Sequence, residues 1–233
     1  MSSTRQRINN LGLVFTSPGV LARNIAEDPH WLIPLIIVLA VSFVAAFSTH
    51  RYAAEFERAG MEDFLKRSGS TDENIDDMFG SSLRNKVTAG ASAAGLFGVV
   101  LLIAAALYKG VASIAGGKIG FRRMFALQTH AALIVTLGVL VRLPIILAKG
   151  SIDVRTGIAA FAPSVPLRSP LGTLLFQLDL FDIWSLVALS IGFSILAGLN
   201  IKKSAAIIFG LWAVFVALLV GLAVLRTRFM GGA

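Results

Sequence analysis

Arg142 and Asp182 invite a chemical question first, because each is an ionisable group at the margin of a long uncharged run. A charge placed in apolar surroundings is costly, so it is either paired or put to use. Arg142 lies near the end of one apolar run, while Asp179 and Asp182 open the next, so the chain brings them back to a similar depth. Three arrangements follow. Arg142 and Asp182 form a partly buried pair that clamps two helices, or the same pair lines a polar pocket or ion path, or both side chains snorkel to water. Gln128, His130 and Thr136, together with Thr129, make the run before Arg142 the most polar of the apolar runs. Interhelical hydrogen bonding accounts for them without function, and a proton-titrating site accounts for them with one, since histidine titrates near neutral pH. His30 and His50 stand at opposite ends of the first apolar run, which rules out one metal site made of all three histidines.

A second group is basic. Lys118, Arg122, Arg123, Lys202 and Lys203 crowd two short connections that hold no acidic residue. Anchoring to anionic lipid headgroups is the expected role, and docking of an acidic protein partner is the alternative. Enzyme signatures are missing from the sequence: there is no HExxH, no GxSxG and no P-loop. Gly116-Gly117-Lys118 lacks the GxxxxGK[ST] spacing and reads as a helix stop before a charged turn. With no cysteine there is no disulfide, thiolate nucleophile or Cys-based metal site. No intramembrane pair of carboxylates, or of Ser and His, suggests a hydrolase. The expectation is a non-enzyme without a cofactor.

The elements that hold these residues are read from hydropathy. Hydrophobic residues make up 56% of the 233 and charged ones 15%, against about 45–50% and about 25% in soluble domains. Mean hydropathy is +0.79. The apolar residues fall in blocks of about 17–25, the length a helix needs to cross about 30 Å of hydrocarbon. Five crossings are expected, near 31–47, 89–115, 124–147, 180–199 and 205–225. The fold class is therefore all-α: a polytopic membrane protein, a five-transmembrane-helix bundle.

Outside the crossings, residues 1–30 form an N-terminal segment, polar and mobile over 1–13. Ser17-Pro18 then starts a short amphipathic helix, with Val20, Leu21 and Ile25 on one face, expected to lie in the membrane interface. Residues 50–87 are the most polar stretch and read as an extramembrane helical hairpin or surface pair. Phe56, Met61, Phe64 and Leu65 serve its first piece; Ser70 and Glu73, as a capping box, and Ile75, Met78 and Phe79 serve its second. Pro163, Pro166 and Pro170 make residues 149–174 an irregular, partly interfacial loop, and 226–233 form the tail. In the second crossing, Ala91/Gly95 and Ala94/Gly98 are small-xxx-small pairs that suit close helix packing or dimerisation.

Orientation follows from charge. Placing the N-terminus in the cytoplasm puts the short basic 116–123 and 200–204 turns there too, as the positive-inside rule asks, and leaves the acidic 50–87 stretch outside. Arg226 and Arg228 count against it. The formal net charge of +8 marks membrane anchoring and not nucleic-acid binding, because the basic residues sit at the ends of apolar blocks. The first apolar block follows a segment holding Glu27 and Asp28, unlike the short basic n-region of a secretory signal, so it reads as a retained anchor.

An ordered series of motifs covers most of the chain. It comprises Phe15-Thr-Ser-Pro18, Pro29-His-Trp31-Leu-Ile-Pro34, Gly116-Gly117-Lys-Ile-Gly120-Phe121, Arg142-Leu-Pro144, Leu180-Phe-Asp-Ile-Trp184 and Asn200-Ile-Lys-Lys-Ser-Ala205. The series resembles the Yip family (Ypt/Rab-interacting proteins) in its bacterial branch. The resemblance implies a five-helix membrane domain with a cytoplasmic N-terminus. Its eukaryotic members look like trafficking factors that bind Rab-type GTPases and help shape Golgi and endoplasmic reticulum membranes. The long acidic N-terminal region of that type is missing here, so GTPase binding does not carry over. The bacterial branch carries no settled activity.

Two functions remain open. One is a non-enzymatic membrane-organising or scaffold protein of the bacterial inner membrane, packing with lipids, a second copy or another membrane protein. The other is a small transporter or channel subunit with a polar path near His130, Arg142 and Asp182. Five crossings do not divide into two repeated halves, which favours the first. Polar side chains of the third crossing facing packed neighbours would favour it further; a wet cavity there would favour transport.

Overall fold

The structure, a computed structural model, describes residues 3–68 and 79–230. Eight α-helices run through the described residues: α1 Ser3–Thr16, α2 Pro18–Glu27, α3 Leu32–Ser68, α4 Leu83–Ile114, α5 Phe121–Lys149, α6 Pro170–Gln177, α7 Leu180–Ala197 and α8 Ile201–Met230. A 3-10 turn spans Gly157–Phe161, and there is no strand among the described residues. Five helices are long and apolar enough to cross a membrane: α3 over Leu32–Arg58, α4, α5, α7, and α8 over Ile201–Arg228. The chain is an all-α, multi-pass integral membrane protein.

Two local differences from the sequence reading have simple causes. The helix that holds the first crossing continues past residue 47: α3 runs unbroken to Ser68. Nothing between Phe47 and Ser68 breaks a helix except Gly60, there is no proline, and Arg51 and Glu55 pair one turn apart at 2.9 Å. Ser70, Glu73, Ile75 and Met78 lie outside the described residues. Residues 3–13, read from sequence as a polar segment with no element of its own, form most of α1, whose Asn10 and Val14, four apart, are both buried.

The chain divides into two compact units, and several helices contribute to both. The first comprises residues 1–40, 95–138 and 180–215. It holds a continuous apolar core of large side chains, among them Leu21, Ile25, Met124, Leu127, Ile134, Phe193 and Ile208. α2 is amphipathic as the sequence reads it, and α7 covers its apolar face. α5 and α7 approach closely because glycine stands where they meet. A Cβ on Gly192 would lie 2.4 Å from Leu127, and one on Gly138 would lie 2.8 Å from the Phe181 ring. Two turns end helices in this unit with glycine in the left-handed region: Gly116 at φ +84 after α4, and Gly198 at φ +67 after α7. In each, the next residue's N–H donates five residues back, Gly117 to Ala112 O and Leu199 to Ser194 O. That is the Schellman arrangement, which satisfies carbonyls a helix end leaves bare.

The second unit comprises residues 41–94, 139–179 and 216–233. Its described residues bury few apolar side chains: Ala54, Val154, Ala159 and Val216. Backbone approach and paired charges hold it instead. A Cβ on Gly90 would stand 2.8 Å from the Phe43 ring and one on Gly172 2.1 Å from Pro166 O. Of the small residues on α4, Gly90 makes a close approach here, while Ala91 and Gly95 are exposed.

Candidate functional site

The first unit buries a polar cluster around two histidines. His130 is fully buried on α5, one turn after Ala126, whose carbonyl accepts from its Nδ1 at 2.7 Å. His30 sits between Pro29 and Trp31 just before α3, and its Nδ1 donates to Asp28 O at 2.9 Å. Both Nδ1 atoms face carbonyls, so both carry the proton and the two Nε2 atoms are acceptors. The rings meet edge to face, 5.0 Å between centroids. Asn24 donates to Asn10 Oδ1 at 2.7 Å, and Asn10 Nδ2 reaches His30 Nε2 at 3.3 Å. Arg7 closes the outer side with a 2.8 Å bond to Asp28. The cluster therefore ties α1 and α2 to the start of α3 and to α5.

Two hydroxyls of α5 bond to their own helix. Thr129 Oγ1 donates to Ala126 O and Thr136 Oγ1 to Ala132 O. Ser185 of α7 donates to Ala131 O at 3.0 Å, a bond between helices that the sequence reading did not anticipate. His130 Nε2 and Gln128 Oε1 are buried acceptors with no partner among the described residues. No group of three metal-ligating side chains occurs among the described residues. His50 belongs to the second unit, where its Nε2 faces Gly80 O at 3.2 Å.

In the second unit Arg142 finds a carboxylate, and it is Asp179. The sequence nominated Asp182; the structure sets Arg142 Nη1 3.9 Å from Asp179 Oδ2. Asp179 is 1% exposed, stands just before α7, and also accepts from the Thr156 hydroxyl. Asp182 is half-buried in the first turn of α7, where the helix dipole favours a negative charge. The Arg142 guanidinium lies 5.6 Å from the centroid of the Phe176 ring. Nearby in sequence, Arg155 donates twice to Asp153, at 2.7 and 3.1 Å, and to Ala162 O at 2.6 Å. The hydrogen bonds from Arg155 hold the Asp153 carboxyl below its ordinary range. Arg168 donates to Phe56 O, lies 4.0 Å over the Phe56 ring and stands 3.5 Å from Glu57, which Arg226 approaches at 3.7 Å.

The basic turns belong to the first unit. Lys118, Arg122, Arg123, Lys202 and Lys203 are exposed. Lys118 N–H donates to Ala197 O, and Lys203 Nζ donates to Ala115 O at 2.5 Å, so the two turns lie side by side. Asn200 caps α8 by accepting from Lys203 N–H at 2.8 Å. Arg122 and Arg123 sit in the first turn of α5, and Lys202 and Lys203 in that of α8, without an acidic residue in either. Cations there oppose the helix dipole, so helix stability does not explain them.

Sequence reasoning missed Asn10, Asn24, Thr156 and the approach of His30 to His130. A signal existed for Asn10, which shares a helical face with Leu11, Val14 and Phe15. Nothing local pointed to Thr156, which meets Asp179 across 23 residues.

The comparisons with known proteins agree with one another. The family model for the Yip1 domain matches residues 12–224. The membrane protein YknW of Bacillus subtilis (strain 168) is 30% identical over 207 residues, covering 87% of this chain and 86% of that protein. No solved structure matches the chain significantly.

Proposed function

This chain belongs to the Yip family, and we propose that it acts as a non-enzymatic membrane-organising or scaffold protein of the bacterial inner membrane. One observation carries the reading: the polar side chains of α5 that would have to line a transport path are packed in the first unit's core. Thr129, His130 and Thr136 are buried and bond to their own helix's carbonyls. The charge pattern supports a cytoplasmic N-terminus, with Lys118, Arg122, Arg123, Lys202 and Lys203 at anionic headgroups on that side. The partnerless acceptors His130 Nε2 and Gln128 Oε1 support a second reading, a small transporter or channel subunit with a polar path near His130, Arg142 and Asp182.

Purified protein in liposomes, assayed for ion and proton flux across a pH gradient, separates the two. The scaffold predicts flux no greater than in protein-free vesicles. Flux that disappears in His130→Ala or Asp182→Asn would sink it. The lipid role has its own assay: phosphatidylglycerol, but not phosphatidylcholine, raises the melting temperature in detergent, and Arg122→Gln with Arg123→Gln reduces that rise.

A further inference from the structure

We infer that residues 156–178, between the third and fourth crossings, lie in the membrane interface with their exposed apolar side chains against lipid. This goes beyond the scaffold reading and does not depend on it. The segment contains one charged residue, Arg168. That guanidinium is turned to Phe56 and Glu57 of α3 and is not spread to water. The outer surface is left to Ile158, Phe161, Leu171, Leu174 and Phe176, all exposed, Phe161 at 90%. A connection between crossings that stood in water would present charge there, and this one presents large apolar side chains.

Backbone sets the depth. Apart from the 3-10 turn and α6, the segment is irregular, and irregular backbone facing lipid is not tolerated within the hydrocarbon. The headgroup and acyl boundary accepts both requirements, as it does for amphipathic helices lying in its plane. In the same unit the third crossing also exposes apolar side chains, Leu140, Val141, Ile145 and Leu147. The segment is fastened at both ends by polar contacts: Arg155 reaches Ala162 O at its start, and Asp179, joined to Thr156, follows its end. Just before the segment, Ser151 is exposed and the Asp153 side chain is 42% exposed, polar positions against which its apolar ones can be compared.

The chain has no cysteine, so single substitutions can carry a spin label cleanly. Phe161→Cys and Leu171→Cys, labelled and reconstituted into phosphatidylethanolamine–phosphatidylglycerol liposomes, would be compared with Ser151→Cys. All three positions are exposed, so folding is preserved and is checked by a monodisperse elution. At 161 and 171, collision with oxygen should exceed collision with a water-soluble nickel chelate several-fold, and at 151 the order should reverse. An aqueous profile at 161 and 171 would overturn the inference. Protection from both reagents at those positions would overturn it as well, since it would mean a second copy or another protein covers the segment.

Discussion

One helix, α5, passes through both units and behaves differently in each. Along its first part, Met124–Leu127 and Ala131–Ile134 are buried in the apolar core, and the buried Thr129, His130 and Thr136 bond to backbone. Along its second part, Leu140, Val141, Ile145 and Leu147 are exposed, and Arg142 is paired with Asp179. The units follow the same division in charge. The first holds nine basic and three acidic residues, the second twelve and ten, so most of the net positive charge belongs to the first. Among the described residues its cations on the two basic turns meet no carboxylate, whereas Arg142, Arg155, Arg168 and Arg226 in the second unit each do. The first unit is organised by apolar packing, pairs Arg7 with Asp28 and leaves its basic turns exposed; the second pairs four arginines of its own with its own carboxylates.

The sharpest way to break that contrast is to make the same change twice on α5. Ile134 is fully buried and Ile145 is 40% exposed. Ile134→Ala should cost about 2–5 kcal/mol through the cavity it leaves. Ile145→Ala should cost under about 1 kcal/mol, because lipid replaces the lost contact with an equally apolar one. Reversible unfolding in mixed micelles would measure both. Equal costs would remove the distinction between a packed and a lipid-facing half.

The next effect belongs to the second unit. Asp179→Ala strands a mostly buried guanidinium, and breaking a buried pair in this way costs about 3–5 kcal/mol. The low end is expected here, since Arg142 keeps its approach to Phe176. Asp182→Ala should cost less in the same assay. If Asp182→Ala proves the costlier change, the assignment of Arg142 to Asp179 is wrong.

The sequence made the crossings legible because hydropathy over a helix's length is a summed signal, insensitive to any one residue. Partner choice is not summed. Asp179 and Asp182 stand three residues apart beside the same boundary, and only the path of residues 156–178, which brings Thr156 onto Asp179, distinguishes them. The helical nature of residues 3–13 was hidden for a related reason: their composition is polar, and what orders them is a face of Asn10 and Val14 meeting partners distant in sequence. Asn10 is read as a solvated residue until Asn24 and His30 are placed against it.

Asn10 offers a third test, of the claim that the polar cluster of the first unit holds α1 and α2. Asn10→Ala removes the middle of the Asn24–Asn10–His30 chain and leaves the buried His30 and the half-buried Asn24 without their partner, at a cost of about 1–3 kcal/mol. Hydrogen exchange should quicken in α1 and α2 before it quickens in α7. Uniform exchange across the three helices would mean the cluster is incidental to how α1 and α2 are held.

The smallest effect is a pH dependence, and it tests whether the second unit's surface pairs matter at all. The Asp153 carboxyl is held below its ordinary value chiefly by hydrogen bonds from Arg155. A carboxyl depressed in the folded state stabilises fully above its unfolded value, about pH 4, and that stability is lost as pH falls from there through the folded value. Arg155 is raised by the same bonds, so its contribution persists at every pH below its unfolded value and adds nothing to the acid window. The Asp153 side chain is 42% exposed, so solvent screens the pair and the difference should be well below that of Asn10→Ala. Wild type should exceed Asp153→Asn in stability at pH 6, and the two should converge toward pH 3. A gap that survives at low pH would come from the shape of the 151–155 turn and not from charge. In that case the second unit would be held by backbone approach at Gly90 and Gly172 more than by its ion pairs, and the two units would differ in packing alone.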